Sequence, residues 1–127
     1  MADDSLLRVE VEHPQDGVAV IALRGECDLS TIPRLEALLF EELESPGAVI
    51  VDLTGLSFID SSGMGLLIKA HQASEGTTHL HTVIARGSQV DRVFDVTGIS
   101  HVLAVFYGRD EALAALAARN GSRQTGA

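Results

Sequence analysis

Residues 49–67, VIVDLTGLSFIDSSGMGLL, join two structural patterns within one short segment. The run AVIVDL at 48–53 is short, β-branched and almost continuously apolar, which is typical of a central strand buried on both faces. Beyond the loop, Met64, Leu67 and Ile68 recur at helical spacing. A buried strand that leads into an amphipathic helix indicates an α/β domain, and the polar residues between the two mark the turn.

The alternation of strand and helix patterns extends along the chain in both directions. Alternating or β-branched apolar runs predict strands, and apolar residues three and four positions apart predict helices. The resulting order is β-β-α-β-α-β-α-β-α, which predicts a mixed sheet of four to five strands with about four helices, most of them crossovers. The predicted strands are 6–11, 18–23, 48–53, 80–85 and 102–106, and the helices follow capping residues at Ser30 or Thr31, at Ser61 or Ser62, at Ser88 and at Asp110.

Length and composition predict one globular domain. The chain has 127 residues, of which 46% are apolar and 21% charged. We place the domain at 1–119, with its core at about 6–117 and a flexible polar tail at 120–127. No apolar run approaches the roughly 20 residues that a membrane span needs. The N-terminal residues do not resemble a signal peptide, and a single cysteine excludes an internal disulfide, so we expect a cytoplasmic protein.

The charge balance restricts the kind of partner. Nine Lys and Arg residues stand against 18 Asp and Glu, the formal net charge is −9, and the basic residues are scattered. Binding to nucleic acid needs a basic surface that replaces counterions. We therefore expect no contact with nucleic acid and none with a membrane. Any role near transcription would then act through a protein partner.

Three interpretations compete for Ser61 and Ser62. A helix N-cap is the simplest, but it explains one serine and leaves Asp60 and the nearby glycines unexplained. A catalytic nucleophile needs a base, yet the G-x-S-x-G pattern is absent and none of the five histidines lies in a recognisable catalytic context. The third is a modification site, because a phosphate on an exposed hydroxyl at a helix N-terminus meets free N–H groups.

Residues around the serines have competing explanations too. Gly63 and Gly65 match neither the dinucleotide fingerprint nor a P-loop, so clearance for another backbone is the simpler role. Asp28, in GECDLST, either shapes a turn or cap or forms a surface carboxylate in the same patch as Ser61. The second alternative requires the strands before Asp28 and Ser61 to be parallel, since their loops then share one edge of the sheet.

Three remaining residues could bind a metal or react. His79 and His81 share one face of a strand, but no third metal ligand is evident, so we expect a solvated strand face and no metal. No cation flanks Cys27 to lower its pKa, and we expect it to be a small buried apolar residue.

Three segments taken together resemble the STAS domain. They are LRGECDLSTIPRLEALL at 23–39, residues 49–67 quoted above, and QVDRVFDVTGI at 89–99. Their order and spacing are most similar to those of bacterial anti-sigma factor antagonists, and the resemblance covers about 6–116. It rests on the D-S-S-G-x-G motif, preceded by an apolar strand and an upstream G-E-x-D segment. It implies the STAS fold.

The resemblance implies a function by partner switching. In this family the unphosphorylated antagonist binds an anti-sigma factor that is also a serine kinase, which frees a sigma factor. The kinase uses ATP and Mg²⁺ to phosphorylate the antagonist, which is then released, and a phosphatase resets it. On this pattern the phosphate acceptor is Ser61, Ser62 is its neighbour, and Asp28 is the aspartate of G-E-x-D.

The same resemblance implies a binding protein that is not an enzyme and has no cofactor of its own. We expect a monomer or weak dimer. Alternatives are a STAS scaffold in a larger signalling assembly, a cytoplasmic subunit of a transporter and, disfavoured, a small hydrolase. The predicted neighbours of the phosphorylation site Ser61 are Asp28, Asp60, Ser62 and Gly63, and the predicted docking surface comprises Ile59, Met64, Gly65 and Leu66.

Overall fold

The computed structural model describes residues 7–44, 47–74 and 78–125. Within them the predicted order of five strands and four helices is confirmed. The elements are β1 Leu7–Gln15, β2 Val18–Cys27, α1 Ile32–Leu43, β3 Gly47–Ile59, α2 Ser61–Ala73, β4 Thr78–Val83, α3 Gln89–Thr97, β5 Val105–Phe106 and α4 Arg109–Thr125, with a 3₁₀ turn Ile99–His101 after α3. None of the helices in these ranges is both long and apolar enough to cross a membrane.

The five strands form one mixed sheet in the order β1-β2-β3-β4-β5. β1 is antiparallel to β2, and every later pair is parallel. Successive crossovers of the usual right hand that always step to the next strand place their helices on one face of the sheet. Side chains of α1, α2 and α3 accordingly share one core cluster with the sheet, whereas α4 contributes to a second cluster with other strand residues.

The central strands are apolar along their length because both faces are covered. Ile21 and Val51 lie in the larger cluster with α1 to α3, while their neighbours Val20 and Ile50 lie in the cluster with α4. All four side chains are at most 1% exposed. The prediction of a strand buried on both faces at 48–53 is therefore confirmed.

β3 continues six residues beyond the predicted end at 53 and reaches Ile59. The register between β2 and β3 shifts twice, so that Ala22 pairs with Asp52 but Cys27 pairs with Ile59. The two shifts are β-bulges, which add residues to β3 relative to β2. Gly55 lies at the first, where a Cβ would be 2.8 Å from the carbonyl oxygen of Leu23. With these extra residues β3 ends beside the end of β2, so α2 begins next to the last residue of β2.

Several predicted boundaries differ from the structure. β1 is longer than predicted because antiparallel pairing with β2 continues to Gln15, and β5 is only two residues long. α4 begins at Arg109, so Asp110 lies in its first turn and is not the cap, and its helical backbone continues to Thr125 through most of the predicted tail. The sequence also predicts that residues 45–47 end α1 and that Gly76 ends α2; Gly47 instead begins β3, and the other three positions lie outside the described residues.

The expectation of a solvated face at His79 and His81 is wrong for His81. Its side chain is 6% exposed and packs against Phe106, with ring centroids 4.8 Å apart. α4 covers this side of the sheet, which periodicity within β4 could not show. Within the described ranges, no group of three or more His, Cys, Asp or Glu side chains is arranged to hold a metal ion.

Candidate functional site

Asp60 is the N-cap of α2. Its backbone is extended, and its Oδ1 accepts hydrogen bonds from the backbone N–H of Ser62 at 3.0 Å and of Gly63 at 3.1 Å. The hydroxyl of Ser62 donates to the same oxygen at 2.6 Å. The expectation that a serine caps this helix is therefore wrong, because the residue before both serines already satisfies the first N–H groups.

Ser61 and Ser62 differ in what their hydroxyls contact. Ser61 is the first residue of α2 and is exposed, and no hydrogen bond joins its hydroxyl to any residue in the described ranges. Ser62 is half-buried, and its hydroxyl is held by Asp60. The structure therefore separates an accessible hydroxyl at Ser61 from an engaged one at Ser62.

The carboxylate beside Ser61 is ionised at neutral pH. The hydrogen bond from the Ser62 hydroxyl and those from the N–H groups of Gly63, Ser62 and Leu29 hold the pKa of Asp60 below its usual value. These bonds also occupy two of the N–H groups that were expected to be free for a phosphate on Ser61. Such a phosphate would instead lie next to a negative charge.

Asp28 forms a turn of the same kind at the end of β2. Its Oδ1 accepts hydrogen bonds from the backbone N–H of Ser30 at 3.0 Å and from the Ser30 hydroxyl at 2.7 Å. The backbone N–H of Asp60 donates to the carbonyl oxygen of Cys27 at 3.2 Å, which joins this turn to the start of α2. Asp28 therefore shapes a turn, and because β2 and β3 are parallel its loop adjoins the start of α2.

Cys27 and Gly63 pack against each other beneath the site. Cys27 is 1% exposed, and burial, followed by the charges of Asp60 and Asp28, raises the pKa of its thiol to about 11. A Cβ added to Gly63 would lie 3.0 Å from Sγ of Cys27 and 2.7 Å from Cγ1 of Ile59. Cys27 is the buried apolar residue that we expected, and Gly63 gives clearance to the protein's own core. Gly65 is exposed, and a Cβ added to it would have no neighbour within 4 Å.

Burial divides the four residues predicted to form a docking surface. Ile59 and Leu66 are 2% and 5% exposed and belong to the core, so they support the site from beneath. Met64 is half-buried and Gly65 is exposed. These two remain available to a partner.

Two exposed apolar side chains near the site were missed from the sequence. Leu29, in the turn formed by Asp28, is 73% exposed, and Phe58, two residues before the cap Asp60, is 40% exposed. The turn-forming pair Asp28 and Ser30 was a signal for Leu29, because connecting turns run over the protein surface. Phe58 had no such signal, since the bulges in β3 set its orientation.

The arrangement suits recognition and modification. It combines an accessible hydroxyl, an ionised carboxylate beside it and exposed apolar side chains at one edge of a rigid sheet. The hydroxyl of Ser61 has no hydrogen-bonded base among the described residues, as an activated nucleophile would require.

Fold and site together define a small α/β domain that presents a serine at a helix N-terminus. The chain belongs to the STAS domain family, whose profile matches residues 9–112. It is similar to the anti-sigma-F factor antagonist RsfB of Mycobacterium tuberculosis, with 32% identity over 113 residues, 88% of this chain and 90% of RsfB. An anti-sigma-B factor antagonist of Staphylococcus epidermidis is 29% identical over 71% of this chain and 84% of its own.

A solved structure gives the same result for the fold. The crystal structure of an anti-sigma factor antagonist from Mycobacterium paratuberculosis matches with a TM-score of 0.80 and 28% identity, covering 91% of this chain and 97% of that one. The predicted STAS fold and the resemblance to anti-sigma factor antagonists are thus confirmed.

Proposed function

We propose that this chain is an anti-sigma factor antagonist that acts by partner switching in the cytoplasm. Unphosphorylated, it binds an anti-sigma factor serine kinase and frees a sigma factor; phosphorylated on Ser61, it is released, and a serine phosphatase resets it. The observation that best supports this proposal is that the Ser61 hydroxyl is exposed and makes no hydrogen bond within the described residues. The other polar side chains of the motif, Asp60 and Ser62, are hydrogen-bonded to each other. The names of its relatives, anti-sigma factor antagonists, support the partner class.

Electrostatics accounts for release without a change of fold. A phosphate adds about −1.5 to −2 charges at neutral pH. It would stand beside the ionised Asp60 and near the loop of Asp28. Any carboxylate of the partner docked there is then opposed by a new negative charge, and like-charge juxtapositions at an interface cost several kcal/mol. Because the Ser61 hydroxyl has no bond within the described residues, modifying it breaks none.

In this proposal the chain supplies no catalytic group. The kinase brings ATP and Mg²⁺, and the antagonist supplies a hydroxyl fixed in place by a capped helix. Asp60 holds the first turn of α2 through three hydrogen bonds to Oδ1, so the backbone of Ser61 is rigid while its side chain remains accessible.

The site assignment is tested by phosphorylation in vitro. The chain is incubated with its anti-sigma factor kinase, ATP and Mg²⁺, and the modified residue is located by mass spectrometry. We expect one phosphate, on Ser61, and none on Ser61→Ala. Ser62→Ala is the matched control and should still be modified, since it removes the adjacent hydroxyl alone. Phosphate on Ser62, or on no residue of the wild-type chain, would disprove the assignment.

A further inference from the structure

The outward side of α3 carries an apolar groove that the partner-switching site does not include. It is lined by Gln89, Arg92, Val93, Val96 and Thr97, and its volume is about 380 Å³. Val96 is 85% exposed, the highest fraction among the large apolar side chains of the described residues. A single exposed aliphatic side chain is ordinary on a protein surface, but beside an apolar concavity it offers a place where a partner's apolar side chain can bury area.

α3 has three distinct faces. Val90 and Phe94 are buried in the core. At helical spacing, Asp91 and Asp95 fall on a second face, where Asp91 accepts hydrogen bonds from the N–H of Gly87 at 2.7 Å and the hydroxyl of Tyr107 at 3.0 Å.

The third face of α3 is the groove, and Arg92 is its only charged residue. One N–H of its guanidinium donates to the carbonyl oxygen of Gly87 at 2.9 Å. A guanidinium has five N–H donors, so Arg92 retains others for a ligand. The groove therefore combines apolar walls with a positive rim, in a chain whose net charge is −9.

The groove adjoins the site at the start of α2. The hydroxyl of Thr97, at the end of α3, lies 4.0 Å from the sulfur of Met64. Met64 is three residues after Ser61, so the two side chains lie on the same side of α2. A surface thus runs from Ser61 through Met64 and Thr97 into the groove.

We propose that this groove binds an apolar segment of the anti-sigma factor kinase, with an acidic side chain of that segment paired to Arg92. The inference rests on the proposed function and adds a second contact to it. The two ends of the surface carry opposite charge, with Asp28 and Asp60 beside Ser61 and Arg92 at the groove. A partner with complementary charges is favoured in the register that pairs both ends. The groove supplies binding that is independent of phosphate.

The test compares charged substitutions in the groove with one far from it. Val96→Asp and Arg92→Glu are tested, Arg92→Lys retains the charge, and Val11→Asp on the opposite edge strand β1 is the matched control for an exposed valine. Titration calorimetry gives Kd for the kinase, and steady-state phosphorylation gives KM and kcat for each chain. Thermal melts verify that each variant is folded.

We expect Val96→Asp and Arg92→Glu to raise Kd and KM about tenfold, the scale of one lost interface contact, with kcat within about twofold. Arg92→Lys and Val11→Asp should stay near wild type. Wild-type affinity in both groove variants would overturn the groove contact while leaving the proposed function intact. A wild-type chain that does not bind the kinase would overturn both. A dimer in sedimentation that Val96→Asp dissociates would assign the groove to a second copy and likewise overturn the proposal.

Discussion

Gly63 and Gly65 lie two positions apart in α2, yet they face different surroundings. A Cβ at Gly63 would meet Ile59 and Cys27 at 2.7–3.0 Å, whereas a Cβ at Gly65 would meet nothing within 4 Å. Gly63→Ala should lower the free energy of unfolding by about 1–3 kcal/mol through overpacking. Gly65→Ala is the control and should raise it by about 0.5–1 kcal/mol, because alanine favours the helix. Urea titrations measure both, and equal effects would contradict the packing argument.

Asp60 has two roles that substitution can separate. Its Oδ1 caps α2, and its charge lies beside the Ser61 hydroxyl. Asp60→Ala should destabilise the fold by about 0.5–2 kcal/mol, and Asp60→Asn, which keeps the accepting oxygen, by much less. After phosphorylation of Ser61, Asp60→Asn should rebind the kinase more tightly than the phosphorylated wild type does. Thermal melts and binding titrations measure the two effects, and equal melting temperatures for both variants would exclude the cap.

Residue-level prediction succeeded where the cause is local. The burial of Cys27 and the accessibility of Ser61 follow from residue type and from position at a helix start. The choice of cap failed because Asp and Ser cap helices almost equally well. Which of the adjacent residues has extended backbone depends on where β3 ends, and that depends on its bulges. Contacts between distant residues, such as Gly63 with Cys27, leave no signal in local spacing.

At the scale of elements, Arg109 attaches the start of α4 to the sheet. Its Nε donates to Oδ2 of Asp52 at 2.6 Å, and its two terminal nitrogens lie 3.4 Å from the carboxylate of Glu12. Asp52 is 6% exposed, and its Oδ1 accepts from the N–H and hydroxyl of Thr54. Burial opposes ionisation of Asp52, but the bonds from Thr54 and Arg109 outweigh it and lower the pKa.

Removing Arg109 should therefore weaken the fold in a pH-dependent way. Arg109→Met should cost about 1–2 kcal/mol near pH 7, because a buried carboxylate loses its charged donor and solvent compensates in part. The folded pKa of Asp52 is below the unfolded value of about 3.9, so its stabilisation is complete above that value and is lost as pH falls through the folded pKa. The deficit of Arg109→Met should thus shrink below about pH 4.

Urea titrations at pH 7 and in acid measure this deficit. Glu12→Gln removes the longer, exposed contact of Arg109 and should change stability by less than about 0.5 kcal/mol. The double variant Arg109→Met with Asp52→Asn should lose less unfolding free energy than the two single variants lose together, because both changes break the same ion pair. A deficit that is independent of pH would show that Arg109 acts through packing alone.

Element order was predictable, and element length was not. Alternating periodicity locates the strands and helices of this chain because each buries one face or both. The segment TGLSF at 54–58 breaks the apolar run and was predicted as a loop, yet it continues β3 because pairing with β2 satisfies its backbone through two bulges. The exposed side chain of Phe58 follows from those bulges, so an exposed apolar side chain near the site was missed.

At the scale of the whole molecule, topology brings the site together, and in the proposed function charge regulates it. Parallel pairing of β2 with β3 places the turn of Asp28 beside the cap Asp60. The sequence placed Asp28 near Ser61 on the condition that these two strands are parallel, and the structure meets that condition. The proposed phosphorylation would add charge to a chain that already carries −9, and no bond of the Ser61 hydroxyl within the described residues would link that charge to the core.

Release by charge and release by refolding differ in their dependence on salt. Exposed charges are screened over about 10 Å at 0.1 M salt and about 3 Å at 1 M. If repulsion at Ser61 releases the kinase, the ratio of Kd for the phosphorylated chain to Kd for the unphosphorylated chain should fall steeply between these concentrations. Amide chemical-shift changes on phosphorylation should be confined to the first turn of α2 and the loop of Asp28. A ratio unaffected by salt, with shifts spread across the sheet, would instead indicate a conformational change.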